Sequence, residues 1–177
     1  MPNYRRNRVP GATYFFTVNL RDRRSALLVT EIEVLRAAVR EVRRQSPFHI
    51  DAWVVLPDHM HSLWTLPEGD SNFPDRWRKI KAAFSKSLPD VGEISDERHG
   101  KGERGIWQRR YWEHTIRNDR DFAAHMDYIH FNPVKHGLAK APGEWKYSSF
   151  RRCVAAGFYP AVWVGGGAEP AVTGEPR

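Results

Sequence analysis

The chain of 177 residues lacks the signatures of several large protein classes. It holds one cysteine, Cys153, so no disulfide can close within it and no pair of thiolates can grip a metal. No apolar run approaches the ~18 residues of a membrane span. The arginines Arg5, Arg6 and Arg8 precede only the short run Tyr14–Phe15–Phe16–Thr17–Val18, too brief for a secretory signal. Gly100–Lys101–Gly102–Glu103–Arg104–Gly105 lacks the Lys–Ser/Thr ending of a phosphate-binding loop. No dinucleotide fingerprint, Gly-x-Ser-x-Gly elbow, internal repeat or low-complexity block is present. The expectation is a soluble, cytoplasmic domain with no membrane partner.

What the chain does have is positive charge. Lys and Arg number 28 against 21 Asp and Glu, a formal charge of +7. Such a balance favours polyanions, nucleic acid first, although it also serves solubility. Hydrophobic residues at 41%, with seven Trp, exclude a disordered chain. The length fits one domain, since domains commonly run to about 100–200 residues. Residues 1–11 read as a basic arm, 1–164 as one folded domain, and 165–177, rich in Gly, Pro and Ala, as a frayed tail.

Thr13 to Leu20 mixes β-branched, aromatic and polar residues and reads as a strand. Thr30 opens a helix, with Glu33 completing a capping box and Ile32, Leu35, Val39 and Val42 forming its apolar stripe. Phe48–Leu56 and His59–Leu66, split by Pro57–Asp58, predict an antiparallel hairpin. A second helix over Pro74–Ser87 would turn Phe73, Trp77, Ile80 and Phe84 inward and Arg76, Arg78, Lys79, Lys81 and Lys86 outward. Residues 89–105 read as a mobile loop and Ile106–Ile116 as a fourth strand. A third helix starts near Asn118, with Asp121 three residues on, and stops at Asn132–Pro133. Trp145–Phe150 should dock back. Strand, helix, two strands, helix, strand, helix is an α+β plan close to the split βαβ arrangement.

Two segments carry candidate chemistry. In a strand, residues i and i+2 share a side, so His59 and His61 can ligate one divalent ion while Met60 points into the core. The same pattern also fits two surface histidines. Tyr128 and Asn132 are four apart and share a helix face, where they can serve as nucleophile and ligand. They fit equally a half-buried packing tyrosine and a helix end. His125, one turn before Tyr128, and Asp58, just before the histidine pair, are candidates for support. Cys153 reads as a packing residue, and His49, His99, His114, His130 and His136 as surface or satisfied side chains.

Taken together, these segments resemble the REP-associated tyrosine transposases, within the single-tyrosine HUH nucleases. The match runs from about Asn3 to Trp163. It is carried by Thr17–Val18–Asn19–Leu20–Arg21–Asp22–Arg23, by Ala52–Trp53–Val54–Val55–Leu56–Pro57–Asp58–His59–Met60–His61 and by Phe84 with its basic helix. Ile106–Trp107–Gln108–Arg109–Arg110–Tyr111–Trp112–Glu113–His114 and Asp127–Tyr128–Ile129–His130–Phe131–Asn132–Pro133–Val134–Lys135–His136–Gly137–Leu138 complete it.

The resemblance implies a ferredoxin-like sheet with His59 and His61 on a central strand and the nucleophile Tyr128 on a helix. It implies Asn132 as third ligand, where many relatives carry Gln, and Mg²⁺ or Mn²⁺ as the ion. The implied partner is a single-stranded DNA hairpin of the REP type with a flanking tetranucleotide, bound by a monomer or homodimer in the nucleoid-containing cytoplasm. Arg5, Arg6, Arg76, Arg78, Lys79, Lys81, Arg109 and Arg110 are the expected DNA contacts, lining a basic groove that leads to the metal. Trp107, Tyr111 and Trp112 are set either to stack on unpaired bases or to pack. The implied reaction joins Tyr128 to a 5′ phosphate. A hydrolytic metal nuclease and a non-catalytic DNA-binding regulator are the rival classes.

Overall fold

A computed structural model describes residues 5–89, 105–167, 169–170 and 173–175. Its elements are β1 (Thr13–Asn19), α1 (Leu27–Thr30), α2 (Ile32–Gln45), β2 (His49–Val55), β3 (His59–Thr65), α3 (Phe73–Ser87), β4 (Trp112–Thr115), α4 (Asp119–Lys135), a 3₁₀ turn (Pro142–Glu144) and α5 (Phe150–Ala155). The strands lie in the order β2-β3-β1-β4, all antiparallel, as the split βαβ plan requires. The expected α+β sheet with helices packed on it is therefore observed.

The sheet is covered on both faces, which is why β1 and β3 are buried along almost their whole length. Tyr14, Phe16 and Val18 pack with Trp64, Phe73, Trp77, Ile80 and Phe84 against α2 and α3. Phe15 on the opposite face packs with Ala52, Val54 and Leu63 against Met126 and Ile129 of α4. Trp64 and Trp77 stack with centroids 4.3 Å apart, at the centre of the first layer. The β2–β3 turn is tight, with the Leu56 N–H donating to the His59 carbonyl at 2.8 Å around Pro57–Asp58. The Trp145–Phe150 segment docks on the β2 edge, where the Val55 N–H reaches the Tyr147 carbonyl at 2.8 Å.

Several boundaries differ from the sequence reading. The capping box does not form: Thr30 closes the short α1, and its hydroxyl donates to the Ala26 carbonyl at 3.0 Å. Leu28, fully buried, fixes that extra turn, so α2 restarts at Ile32. The fourth strand shrinks to Trp112–Thr115. Upstream, Trp107 makes a single bridge to Leu20, and its indole N–H lies 3.2 Å from the Lys81 carbonyl and 3.1 Å from the Ser85 hydroxyl. Most of the expected 89–105 loop, residues 90–104, lies outside the described residues.

Helix α4 runs through Pro133 to Lys135. A proline interior to a helix removes one N–H, but the turn beyond it is closed by other donors. The Leu138 N–H bonds the Pro133 carbonyl at 2.8 Å and the Gly137 N–H the Val134 carbonyl at 3.0 Å. This is a Schellman ending, and Gly137 adopts the left-handed φ of +68° that it needs.

Arg76 does not face outward. It is 3% exposed, and its guanidinium donates to Asp70 at 2.6 Å and to the carbonyls of Ser46, Pro47 and Asn72. All of that binding capacity is spent inside the fold, where it ties α3 to the end of α2. Arg76→Ala is therefore expected to cost about 3 kcal/mol in urea unfolding, as for a buried pair stripped of one partner. At temperatures where the variant is folded, its DNA affinity should match the parent's.

Candidate active site

His59 and His61 project from β3 toward α4, with ring centroids 5.1 Å apart. They are 2% and 0% exposed, so they are not surface histidines. Each is fixed from behind. The Asp58 carboxylate holds His59 Nδ1 at 2.7 Å. The Thr17 hydroxyl holds His61 Nδ1 at 2.8 Å, because Thr17 lies directly opposite His61 in the β1–β3 register. That hydroxyl also lies 2.5 Å from the Thr173 carbonyl. Nε2 of His61 is turned inward, toward the Glu175 carboxylate. Burial lowers the His61 pKa to about 4, so the ring is neutral at pH 7. For His59, burial pulls the pKa down, but the Asp58 and Glu175 carboxylates outweigh it and raise the net value.

Helix α4 supplies the second half. The Asn118 side chain accepts from the Asp121 N–H at 2.9 Å and starts the helix as the sequence predicts. Tyr128 and Asn132 then share the face toward the histidines. The Tyr128 ring is 5.3 Å from that of His61 and 6.0 Å from that of Phe15. Burial raises the Tyr128 pKa far above the usual phenol value. Asn132 is fully buried.

The tail returns to this site. Expected to fray, it places Glu175 among the imidazoles, where its carboxylate meets five polar groups. Glu175 Oε1 lies 2.6 Å from His61 Nε2, 3.0 Å from Asn132 Nδ2, 3.4 Å from His136 Nε2 and 3.6 Å from His59 Nε2. Its Oε2 accepts from Lys135 Nζ at 2.8 Å, and Lys135 Nζ also donates to Tyr128 Oη at 3.2 Å. Burial alone would raise the carboxyl's pKa, but His136, His59 and His61 hold it well below the usual range.

The donor set fits a divalent cation. Two buried atoms that face a metal in such sites, His59 Nε2 and Asn132 Oδ1, have no hydrogen-bond partner. Two imidazoles and an amide oxygen suit a borderline or hard ion with oxygen and nitrogen ligands. His59, His136 and Glu175 also lie close enough to share an ion.

Sequence reasoning thus found His59, His61, Asp58, Tyr128 and Asn132, which the fold brings together. His125 stands apart: the Phe15 ring lies between it and His61, and its Nδ1 bonds the Asp121 carbonyl at 2.8 Å. Thr17, Lys135, His136 and Glu175 were missed. Lys135 was recoverable, seven residues after Tyr128 on one helix, had the helix been carried past Pro133. Glu175 left no local signal.

The expected basic residues are divided. Arg6, Arg78, Lys81 and Arg109 line one groove of about 840 Å³ along α3 and the segment before β4, together with Lys86, Trp107 and Tyr111. Among its lining residues, Gln108 donates its N–H to the Asn19 carbonyl at 3.0 Å, while Trp107 and Tyr111 pack on the α2–α3 face of the sheet. Arg6 is ion-paired with Glu113 and lies over the Tyr111 ring, so the arm is anchored. Arg5 and Arg110 are exposed, and Lys79 pairs with Asp75 at 2.8 Å. Arg76 is the exception described above.

Residues 9–132, from β1 to Asn132, match the family model described as Transposase IS200 like, and the chain belongs to that family of transposases. It is 52% identical over 165 residues to the REP-associated tyrosine transposase of Escherichia coli K12, covering 93% of this chain and 92% of that protein. It is also similar to a solved REP-associated tyrosine transposase bound to a REP hairpin. There the TM-score is 0.86 at 49% identity, covering 100% of this chain and 99% of the other. The resemblance read from the motifs holds across the chain. No helix among the described residues is long and apolar enough to cross a membrane.

Thr17→Val keeps the shape of the side chain but removes the hydroxyl that aims His61. Mn²⁺ affinity measured by calorimetry should fall about 10–100-fold, the usual effect of losing such a supporting partner.

Proposed function

We propose that the chain is a metal-dependent single-stranded DNA endonuclease and strand transferase that acts beside REP-type hairpins through a covalent 5′-phosphotyrosine. One observation carries this reading. The Tyr128 hydroxyl and the side chains of His59, His61 and Asn132 surround one buried carboxylate, an anion held by the Asn132 amide and the Lys135 ammonium next to the unpartnered His59 Nε2 and Asn132 Oδ1. A DNA phosphate is the anion on which a tyrosine transposase acts.

His59, His61 and Asn132 hold the ion, Mg²⁺ or Mn²⁺, with Asp58 and Thr17 orienting the rings. The bound ion supplies positive charge to the scissile phosphate. Tyr128 Oη attacks phosphorus, its proton passes to solvent, and the bond from phosphorus to the 3′ oxygen breaks. The 3′ oxygen takes up a proton and leaves as a hydroxyl, while the 5′ phosphate stays on Tyr128. One phosphate ester replaces another, so rejoining needs no nucleotide cofactor, in keeping with the missing phosphate-binding loop. The hairpin-bound relative supports hairpin DNA as partner. In this reading the groove of Arg6, Arg78, Lys81 and Arg109 takes the DNA backbone beside the hairpin and its flanking tetranucleotide.

Tyr128→Phe removes one oxygen and leaves the ring. On a denaturing gel it should form no protein–DNA adduct and cut no hairpin substrate, while binding the hairpin with near-native affinity. Cleavage without an adduct by the parent protein would favour water as nucleophile, and binding without cleavage would favour a regulator. His61→Ala should also abolish the adduct. Arg109→Glu should weaken hairpin binding and flatten its salt dependence by about one unit of log–log slope, the share of one phosphate contact. An unchanged slope would remove the groove from the DNA path.

A further inference from the structure

We infer that Lys135 is a catalytic residue that grips a non-bridging oxygen of the scissile phosphate beside Tyr128. The inference rests on the covalent reading above and adds a group that the motifs did not supply. Lys135 Nζ stands 3.2 Å from the attacking atom, Tyr128 Oη, and lies over the same ring at 4.7 Å from its centroid. A phosphorus that approaches Oη on the side of Nζ has an oxygen within reach of this ammonium.

The Glu175 carboxylate shows how such an anion sits. A carboxylate and a phosphodiester both offer two anionic oxygens on one atom. Here Oε1 faces the ligand cluster, at 2.6 Å from His61 Nε2, and Oε2 takes the Lys135 ammonium at 2.8 Å. A phosphate that replaces the carboxylate can set one oxygen on Lys135 as Oε2 does here, with phosphorus beside Tyr128 Oη. A fixed cation aimed where charge gathers acts mainly in the transition state. Lysine suits the task as a compact charge with three rotatable donors.

A lesser role is also available. Lys135 lies in the last turn of α4, where any cation is favoured by the helix dipole. The two roles part on chemistry. The phosphate grip acts on the rate of the step, whereas a dipole contact acts only on stability.

The test uses the full chain and a hairpin substrate with its flanking strand, in saturating Mn²⁺. Because Lys135 also pairs with Glu175, it is run in a Glu175→Ala background as well, so that loss of that ion pair cannot mask the effect. In both backgrounds Lys135→Ala should slow single-turnover adduct formation by about 100-fold or more, the scale of one lost oxyanion donor. Hairpin affinity, Mn²⁺ affinity and melting temperature should hold near parental values, and Lys135→Arg should recover part of the rate.

The decisive arm replaces one non-bridging oxygen of the scissile phosphate by methyl. With the charge gone, Lys135→Ala and its parent should react at similar rates, because the two changes delete the same interaction. A parental rate for Lys135→Ala on the natural phosphate overturns the inference, and so does an undiminished Lys135 effect on the methylphosphonate. Adduct formation by Tyr128→Phe would instead bring down the covalent reading, which separates the two failures.

Discussion

Everything in the site depends on the register of β3 against β1. With both faces of the sheet covered, alternation assigns His59, His61 and Leu63 to the α4 side and Met60 and Trp64 to the α2–α3 side. A slip of one residue would drive two imidazoles into an aromatic core and bring Met60 and Trp64 to the site. The aromatic stacking around Trp64 and Trp77 therefore does more than stabilise: it forbids the alternative register. The same register sets Thr17 against His61 and Asn19 against His59, so β1 orients one ligand through the Thr17 hydroxyl.

The strand and helix pattern of the scaffold was legible because it rests on short-range periodicity. The hairpin at Pro57–Asp58, the inward stripe of Phe73, Trp77, Ile80 and Phe84, and the Asn118 cap are all local signals, and each appears where expected. What escaped was non-local or depended on how an element ends. Arg76 flanks the apolar stripe of α3, three residues from Phe73 and four from Ile80; its charge suggested solvent, yet the end of α2 and Asp70 close over it. Pro133 was read as a stop, but the Leu138 and Gly137 amides sustain the turn that presents Lys135 and His136. Glu175 is brought in from 114 residues beyond His61, a distance no window spans.

The positive charge of the chain also reads differently once it is placed. Arg36, Arg44 and Arg78 have carboxylates three positions away along the same helix, and Arg6 is held by Glu113. A count of basic residues thus overstates what DNA meets. The relevant quantity is the charge along the groove beside α3, which Lys81, Lys86 and Arg109 line together with Trp107.

Helix α4 lies outside the βαββαβ circuit and closes the second face of a sheet whose first face is already sealed by α2 and α3. The tyrosine and the amide ligand therefore ride on an element that the scaffold does not need in order to complete its own topology. Opening of that helix is a sub-global event, with its own free energy below that of complete unfolding. The chain can in this way lose its reaction centre while remaining folded, so persistence of the catalyst and persistence of the protein are separate properties, free to be selected independently.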